Sequence, residues 1–156
     1  MSTLDSLGRE LQSTWRQEIP LAAALAIEVA ACSNDELAVR APLAPNRNLH
    51  GTAFAGSLFS LCVLTGWGVT WLALKQRGVD GAIVVADSRI RYRKAVSGDI
   101  LCRCRPDLAS IERSFTGLAT SGRASLALSC TIDQDGKRAV TFDAEYVVHV
   151  KKESSA

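Results

Sequence analysis

The sequence predicts an α+β fold in which an antiparallel sheet wraps one long central helix, with a short helix before it. Three features predict it. Residues 51–74 are a run of 24 without a charged side chain, long enough for a helix that is apolar all round. Strand-like alternation lies on both sides of that run, and each strand has an apolar face to cover. The chain has 156 residues, 47% hydrophobic and 22% charged, which suits one core and excludes disorder or collagen-like repetition. One domain over residues 1–156 is expected.

In chain order, Leu4, Leu7, Leu11 and Trp15 fall at helical spacing over residues 4–17, with Ser2 and Thr3 as caps and Pro20 as the stop. Leu25, Ile27, Val29 and Ala31 then alternate with Glu28, and Leu37, Val39 and Ala41 with Glu36 and Arg40. With Ser33, Asn34 and Asp35 between them, these segments predict a hairpin. A loop holding Pro and Asn, residues 42–49, leads into the uncharged helix, which should stop near Gly78.

Four further strand-like runs follow, and in each the even-numbered residues are expected to face the core. They include Val84, Ala86, Ser88, Ile90 and Tyr92; Cys102 and Cys104; Leu126, Leu128 and Cys130; and Phe142, Ala144, Tyr146 and Val148. Ser97-Gly98-Asp99 and Asp135-Gly136 read as hairpin turns, and Ser121-Gly122 as the end of a polar connection. On the odd-numbered faces, Arg89, Arg91, Arg93, Arg103 and Arg105 are expected to form one basic patch on two adjacent strands. Residues 151–156 read as a frayed tail.

The uncharged run is also long enough to span a bilayer. Its glycines and its hydroxyls at Thr52, Ser57, Ser60, Thr65 and Thr70, and the sheet that needs cover, favour a buried core helix and no membrane. Five scattered cysteines suggest reduced thiols, and the acidic start of the chain has no apolar signal segment. A cytoplasmic location is therefore expected. The net charge of +2 argues against nucleic acid as a partner. Cys102 and Cys104 have no second Cys or His pair at matching spacing, so neither a metal nor a cofactor is expected.

The segment Asn46-Arg-Asn-Leu-His-Gly-Thr-Ala-Phe-Ala-Gly-Ser-Leu, followed by Leu64-Thr-Gly-Trp-Gly, Ala86-Asp-Ser-Arg-Ile-Arg-Tyr and Gly98-Asp99, resembles the hot-dog-fold thioesterase family of the YiiD C-terminal-domain type. The resemblance extends over about residues 20–150. It implies a homodimer or dimer of dimers with sheets joined edge to edge, and a site at the dimer interface near the start of the central helix. It also implies an acyl thioester of coenzyme A or acyl carrier protein as the substrate.

Thioester hydrolysis needs donors for the developing oxyanion and a group that activates water or attacks. With a helix beginning at Gly51, the amides of Gly51 and Thr52 stand at its positive end; alternatively, Gly51 only makes a tight turn. His50 either orients water and the thioester carbonyl or closes the loop. Asn48 and Asn46 either position the substrate or shape the turn. Between residues 51 and 74 there is no Asp or Glu, the residue type better-known hot-dog thioesterases use as base or nucleophile. Ser57, near the helix start, and Asp87, supplied by a partner subunit, are the remaining candidates, and a cross-strand ion pair is the plain role for Asp87. Arg89, Arg91 and Arg93 suit the phosphates of coenzyme A or form a solvated face. A non-catalytic acyl-CoA or acyl-carrier-protein binder and a hot-dog hydratase or dehydratase are the other functions consistent with these residues.

Overall fold

The computed structural model describes residues 3–150; Ser2 as a cap and the tail of residues 151–156 lie outside them. The order is α1 (Thr3–Glu18), α2 (Pro20–Leu25), β1 (Glu28–Cys32), β2 (Leu37–Ala41), a 3-10 turn (Ala44–Asn46), α3 (Ala55–Gln76), β3 (Gly81–Tyr92), β4 (Ile100–Cys104), α4 (Leu108–Phe115), α5 (Leu118–Ser121), β5 (Arg123–Gln134) and β6 (Lys137–Val150). The six strands form one antiparallel sheet in the order β1-β2-β4-β5-β6-β3. The sheet wraps α3, as its apolar composition requires. Of the most apolar stretch of α3, 72% is buried.

Two glycines let α3 lie close to its neighbours. A Cβ on Gly66 would stand 2.3 Å from the Tyr146 hydroxyl, and one on Gly68 would stand 2.8 Å from both Trp15 and Leu37. Gly66 thus seats the helix on β6, and Gly68 admits α1 with its buried Leu11 and Trp15. Farther toward the helix start, Phe59 packs edge-on against Phe142, ring centres 5.8 Å apart. The Tyr146 hydroxyl donates to the Val63 carbonyl at 2.8 Å, which satisfies the one polar atom of a fully buried side chain.

The β1–β2 hairpin forms as expected, but a register shift between Val29 and Ala31 turns Ala31 outward and packs Cys32 on the core in its place. Its Ser33 hydroxyl oxygen accepts from the amides of Asp35 and Glu36, the local side-chain-to-backbone bonding that makes Ser a turn residue. Asp135 and Gly136 both have positive φ, 52° and 72°, the combination a two-residue β5–β6 turn needs. Even-numbered residues of β4, β5 and β6 face inward as expected, including Cys102, Cys104, Cys130 and Phe142, each with no exposed surface.

Several expectations are corrected. Pro20 stops α1 and also opens α2, and Ala26 in a left-handed conformation ends it, so Leu25 is helical and β1 starts at Glu28. Helix α3 begins at Ala55, not at Gly51. Strand β3 does not keep one parity: its register shifts between Val85 and Asp87. Ile83 and Val85 therefore pack on the core before the bulge, and Ile90 after it, while Val84 stays 49% exposed. Ser97-Gly98-Asp99 is not a hairpin turn, because β3 and β4 do not pair; there the Asp99 carboxylate accepts from the Leu43 amide at 2.9 Å. The expected polar connection contains α4 and α5, with Ile111, Phe115 and Leu118 buried.

The basic patch does not exist as expected either. Strands β3 and β4 are separated by β5 and β6, which divides the five arginines. Arg103 and Arg105 both grip Glu36 at 2.6 Å. Arg89, Arg91 and Arg93 make no side-chain ion pair among the described residues.

Candidate active site at the start of the central helix

Asn48 organises the loop ahead of α3. Its side-chain oxygen accepts from the His50 amide at 2.9 Å and the Thr52 amide at 3.1 Å, and its side-chain nitrogen donates to the Thr52 hydroxyl at 2.9 Å. The Asn48 backbone N–H donates to the Thr52 carbonyl, and the Asn48 carbonyl accepts from the Gly51 amide. The tight turn needs a left-handed residue, and Gly51 provides it with φ +79°.

The amides of Gly51 and Thr52 are thus engaged inside the loop, and they precede the helix instead of opening it. This corrects their expected place as open donors at the helix end. The first turn of α3 consists of Ala55, Gly56 and Ser57, whose amides have no acceptor within a helix, and Phe54 at the N-cap position gives no side-chain bond. The Ser57 hydroxyl, half-buried, has no hydrogen-bond partner among the described residues.

Asn46 is 1% exposed. It donates to the carbonyls of Leu25 and Pro42 at 2.9 and 2.8 Å, so it fastens the loop to α2 from beneath the surface. Its backbone carbonyl accepts from the Phe54 amide at 2.7 Å, which brings the loop round to the start of the helix. His50 is exposed beside this turn, and Leu49 is 91% exposed.

A cleft of about 290 Å³ opens where the loop, the start of α3 and the end of β3 meet, and Asn48, Ala55, Leu58, Tyr92, Arg93 and Lys94 line it. Tyr92 crosses it, donating its hydroxyl to the Ala55 carbonyl at 3.0 Å. Desolvation holds the phenol pKa above its ordinary value, so near neutral pH Tyr92 is a donor. The cleft therefore combines a helix N-terminus, an amide side chain, a phenol and two cations.

Asp87 and Arg89 line a different hollow on the outer side of the sheet, with Ser129, Asp143 and Glu145. The Asp87 carboxylate accepts from the Ser88 amide at 2.9 Å. Ser125 donates to Glu145 and Ser129 to Asp143, both at 2.5 Å. Within one chain, then, Asn48 and Arg93 meet in one cleft with His50 and Thr52 on the adjoining loop, while Asp87 and Arg89 stand elsewhere. Sequence reasoning missed Tyr92, which its even number assigned to the core, and Lys94. The signal was available: Tyr92 ends a strand beside two cations, where an amphipathic ring suits a cleft wall.

Comparison with known proteins gives the family and the fold. A family model described as "Putative thioesterase (yiiD_Cterm)" matches residues 8–150. The "putative thioesterase from Shewanella oneidensis" is 39% identical with TM-score 0.81, over 94% of this chain and 99% of that one. A protein of unknown function from Chlorobaculum tepidum TLS is 26% identical with TM-score 0.90, over 96% of this chain and 98% of that one. A thioesterase from Haemophilus influenzae, 16% identical with TM-score 0.70 over 100% of this chain and 96% of that one, shares the fold. The helix wrapped by an antiparallel sheet is the hot-dog fold, and the chain belongs to the family described as "Putative thioesterase (yiiD_Cterm)".

Proposed function

We propose that the protein hydrolyses an acyl thioester of coenzyme A or acyl carrier protein at the cleft beside the first turn of α3, as a homodimer or dimer of dimers. The observation that carries this reading is the uncapped start of α3 beside a cleft lined by Asn48, Tyr92, Arg93 and Lys94. The thioester carbonyl oxygen is held at the first-turn amides, where the helix dipole favours developing negative charge. Gly51 and Thr52 set the loop geometry with Asn48 and Asn46, and His50 at its tip orients water. Arg93 in the cleft receives the phosphates of the carrier, and Arg91 and Arg89, farther along β3 and outside the cleft, continue the row of cations that the carrier follows.

The base in this reading is Asp87 of a second copy, because α3 has no Asp or Glu within residues 55–76. Ser57 orients the acyl group, since a hydroxyl with no base beside it is a poor nucleophile. The same lack of a helix acid favours a second reading, a binder that holds an acyl thioester without turnover.

The test is free-thiol release from short, medium, long and aromatic acyl-CoA and acyl-carrier substrates, with His50→Ala and Asp87→Asn variants. Hydrolysis predicts turnover that falls at least about a hundredfold in either variant. A mixture of the two variants should regain part of it if Asp87 acts across an interface, because one site of each mixed dimer is intact. Thioester binding by calorimetry with no thiol release establishes the binder instead.

A further inference from the structure

At the opposite end of α3, two hollows of about 480 Å³ each adjoin α4, a volume within the usual range for small-molecule pockets. Arg77 and Glu112 line both, so their ion pair stands where the hollows meet. Arg77 is held from several directions: it donates to the Ala73 carbonyl at 2.8 Å and lies 4.8 Å from the centre of the Phe115 ring. Its side chain is 25% exposed, whereas that of Glu112 is 72% exposed. The cation is built into the fold, and its carboxylate partner is on the surface, where an ion pair is weak.

The hollow on the α1 side has Leu37, Val69, Leu72, Ala73 and Ile111 in its walls, with Leu108 at its edge. Leu108 is 47% exposed. Glu36 also lines this hollow, but Arg103 and Arg105 already balance its charge. What remains is a trough with apolar walls and with Ser33, Asn34 and Gln76 along its lining. Beside it stands one preorganised guanidinium that a carboxylate already occupies.

We infer that this hollow binds a single-chain amphiphile with a carboxylate head. The head takes the place of Glu112 on Nη2 of Arg77, while Nη1 stays on the Ala73 carbonyl and holds the guanidinium in place. The alkyl chain lies on Leu37, Val69, Leu72 and Ile111. Glu112 is then an internal competitor for the site. The inference is independent of thioester hydrolysis.

The experiment is calorimetric titration of the full chain with decanoate, compared with decanol and decyltrimethylammonium. The expected order places decanoate tightest. Glu112→Gln should tighten decanoate by up to about fivefold, because it removes the competitor, and leave decanol unchanged. Arg77→Gln should weaken decanoate about tenfold, to the level of decanol. Leu108→Asp, at an exposed position, should weaken all apolar probes without unfolding the chain. Decanoate binding no tighter than decanol overturns the inference, as does an unchanged affinity in Glu112→Gln. Binding that survives Arg77→Gln but is lost in Asn48→Ala places the ligand in the cleft at the other end of α3 and likewise overturns it.

Discussion

Asn48 shows how one side chain shapes the candidate site. It bonds the His50 amide, the Thr52 amide and the Thr52 hydroxyl at once, so the tip that presents His50 depends on it. Asn48→Ala should cost about 1–2 kcal/mol of stability, read as a lower thermal midpoint, and the Thr52 amide should lose its protection from hydrogen exchange. Asn48→Asp retains the acceptor oxygen and should restore the protection. Asn-containing turns are legible in a sequence because they use only local bonds. The partners of Asn46 were not legible, since one of them, the Leu25 carbonyl, lies 21 residues away.

Among the elements, α3 is the most tightly specified by its surroundings. Gly66→Ala sets a methyl group against the Tyr146 ring and hydroxyl and should destabilise the fold by about 1–3 kcal/mol, seen as a lower urea midpoint. Gly98→Ala, where nothing lies within 4 Å, is the control and should shift it little. Strand β3 teaches a different lesson. Alternation alone placed its even residues inward, and a bulge at Val85/Asp87 reversed the first half. An extra residue in one strand is visible only against its partner, β6. Helices α4 and α5 were missed for different reasons. Helix α4 does place Leu108, Ile111 and Phe115 at helical spacing behind the Asp107 cap, a signal that its polar neighbours masked, whereas α5 spans four residues, barely one turn. The two are held by burying Ile111, Phe115 and Leu118.

For the whole molecule, the wrapped sheet buries thiols and a phenol together. Burial raises Cys102, but its hydrogen bonds with Cys130, Cys62 and Thr65 hold it below its ordinary value. The opposite push falls on Cys62, raised by its bond with Cys102 and by burial, and on Cys130, raised by its bonds with Cys102 and Cys104 and by burial. Burial likewise raises the Tyr146 phenol. Cys62, Cys130 and Tyr146 become anionic when they lose a proton, so above their ordinary values of 9.0 and 10.0 the unfolded chain releases protons that these three groups keep in the fold, and together they outweigh the one thiol shifted down. Their stabilising contribution is complete below about pH 9 and falls as pH rises past it. The urea midpoint should therefore drop between about pH 8 and about pH 10.5. A flat profile would show that the thiols and the phenol ionise as readily in the fold as in the unfolded chain.

By itself the sequence determined the features that depend on neighbours along the chain: the long apolar helix, the β1–β2 hairpin, the Asp135-Gly136 turn and the alternation of β4, β5 and β6. It also carried the loop motif on which the resemblance to the family rests. Helical and strand periods are local, and turn residues act through their own backbone. Only the tertiary structure decided that α3 starts at Ala55, so that its first-turn amides replace those of Gly51 and Thr52 as the open donors. It also brought Tyr92 against the Ala55 carbonyl and separated Arg89, Arg91 and Arg93 from Arg103 and Arg105 by two strands. Each of these outcomes depends on which distant strand or helix a segment meets, and the register of that meeting is set by packing across the whole core.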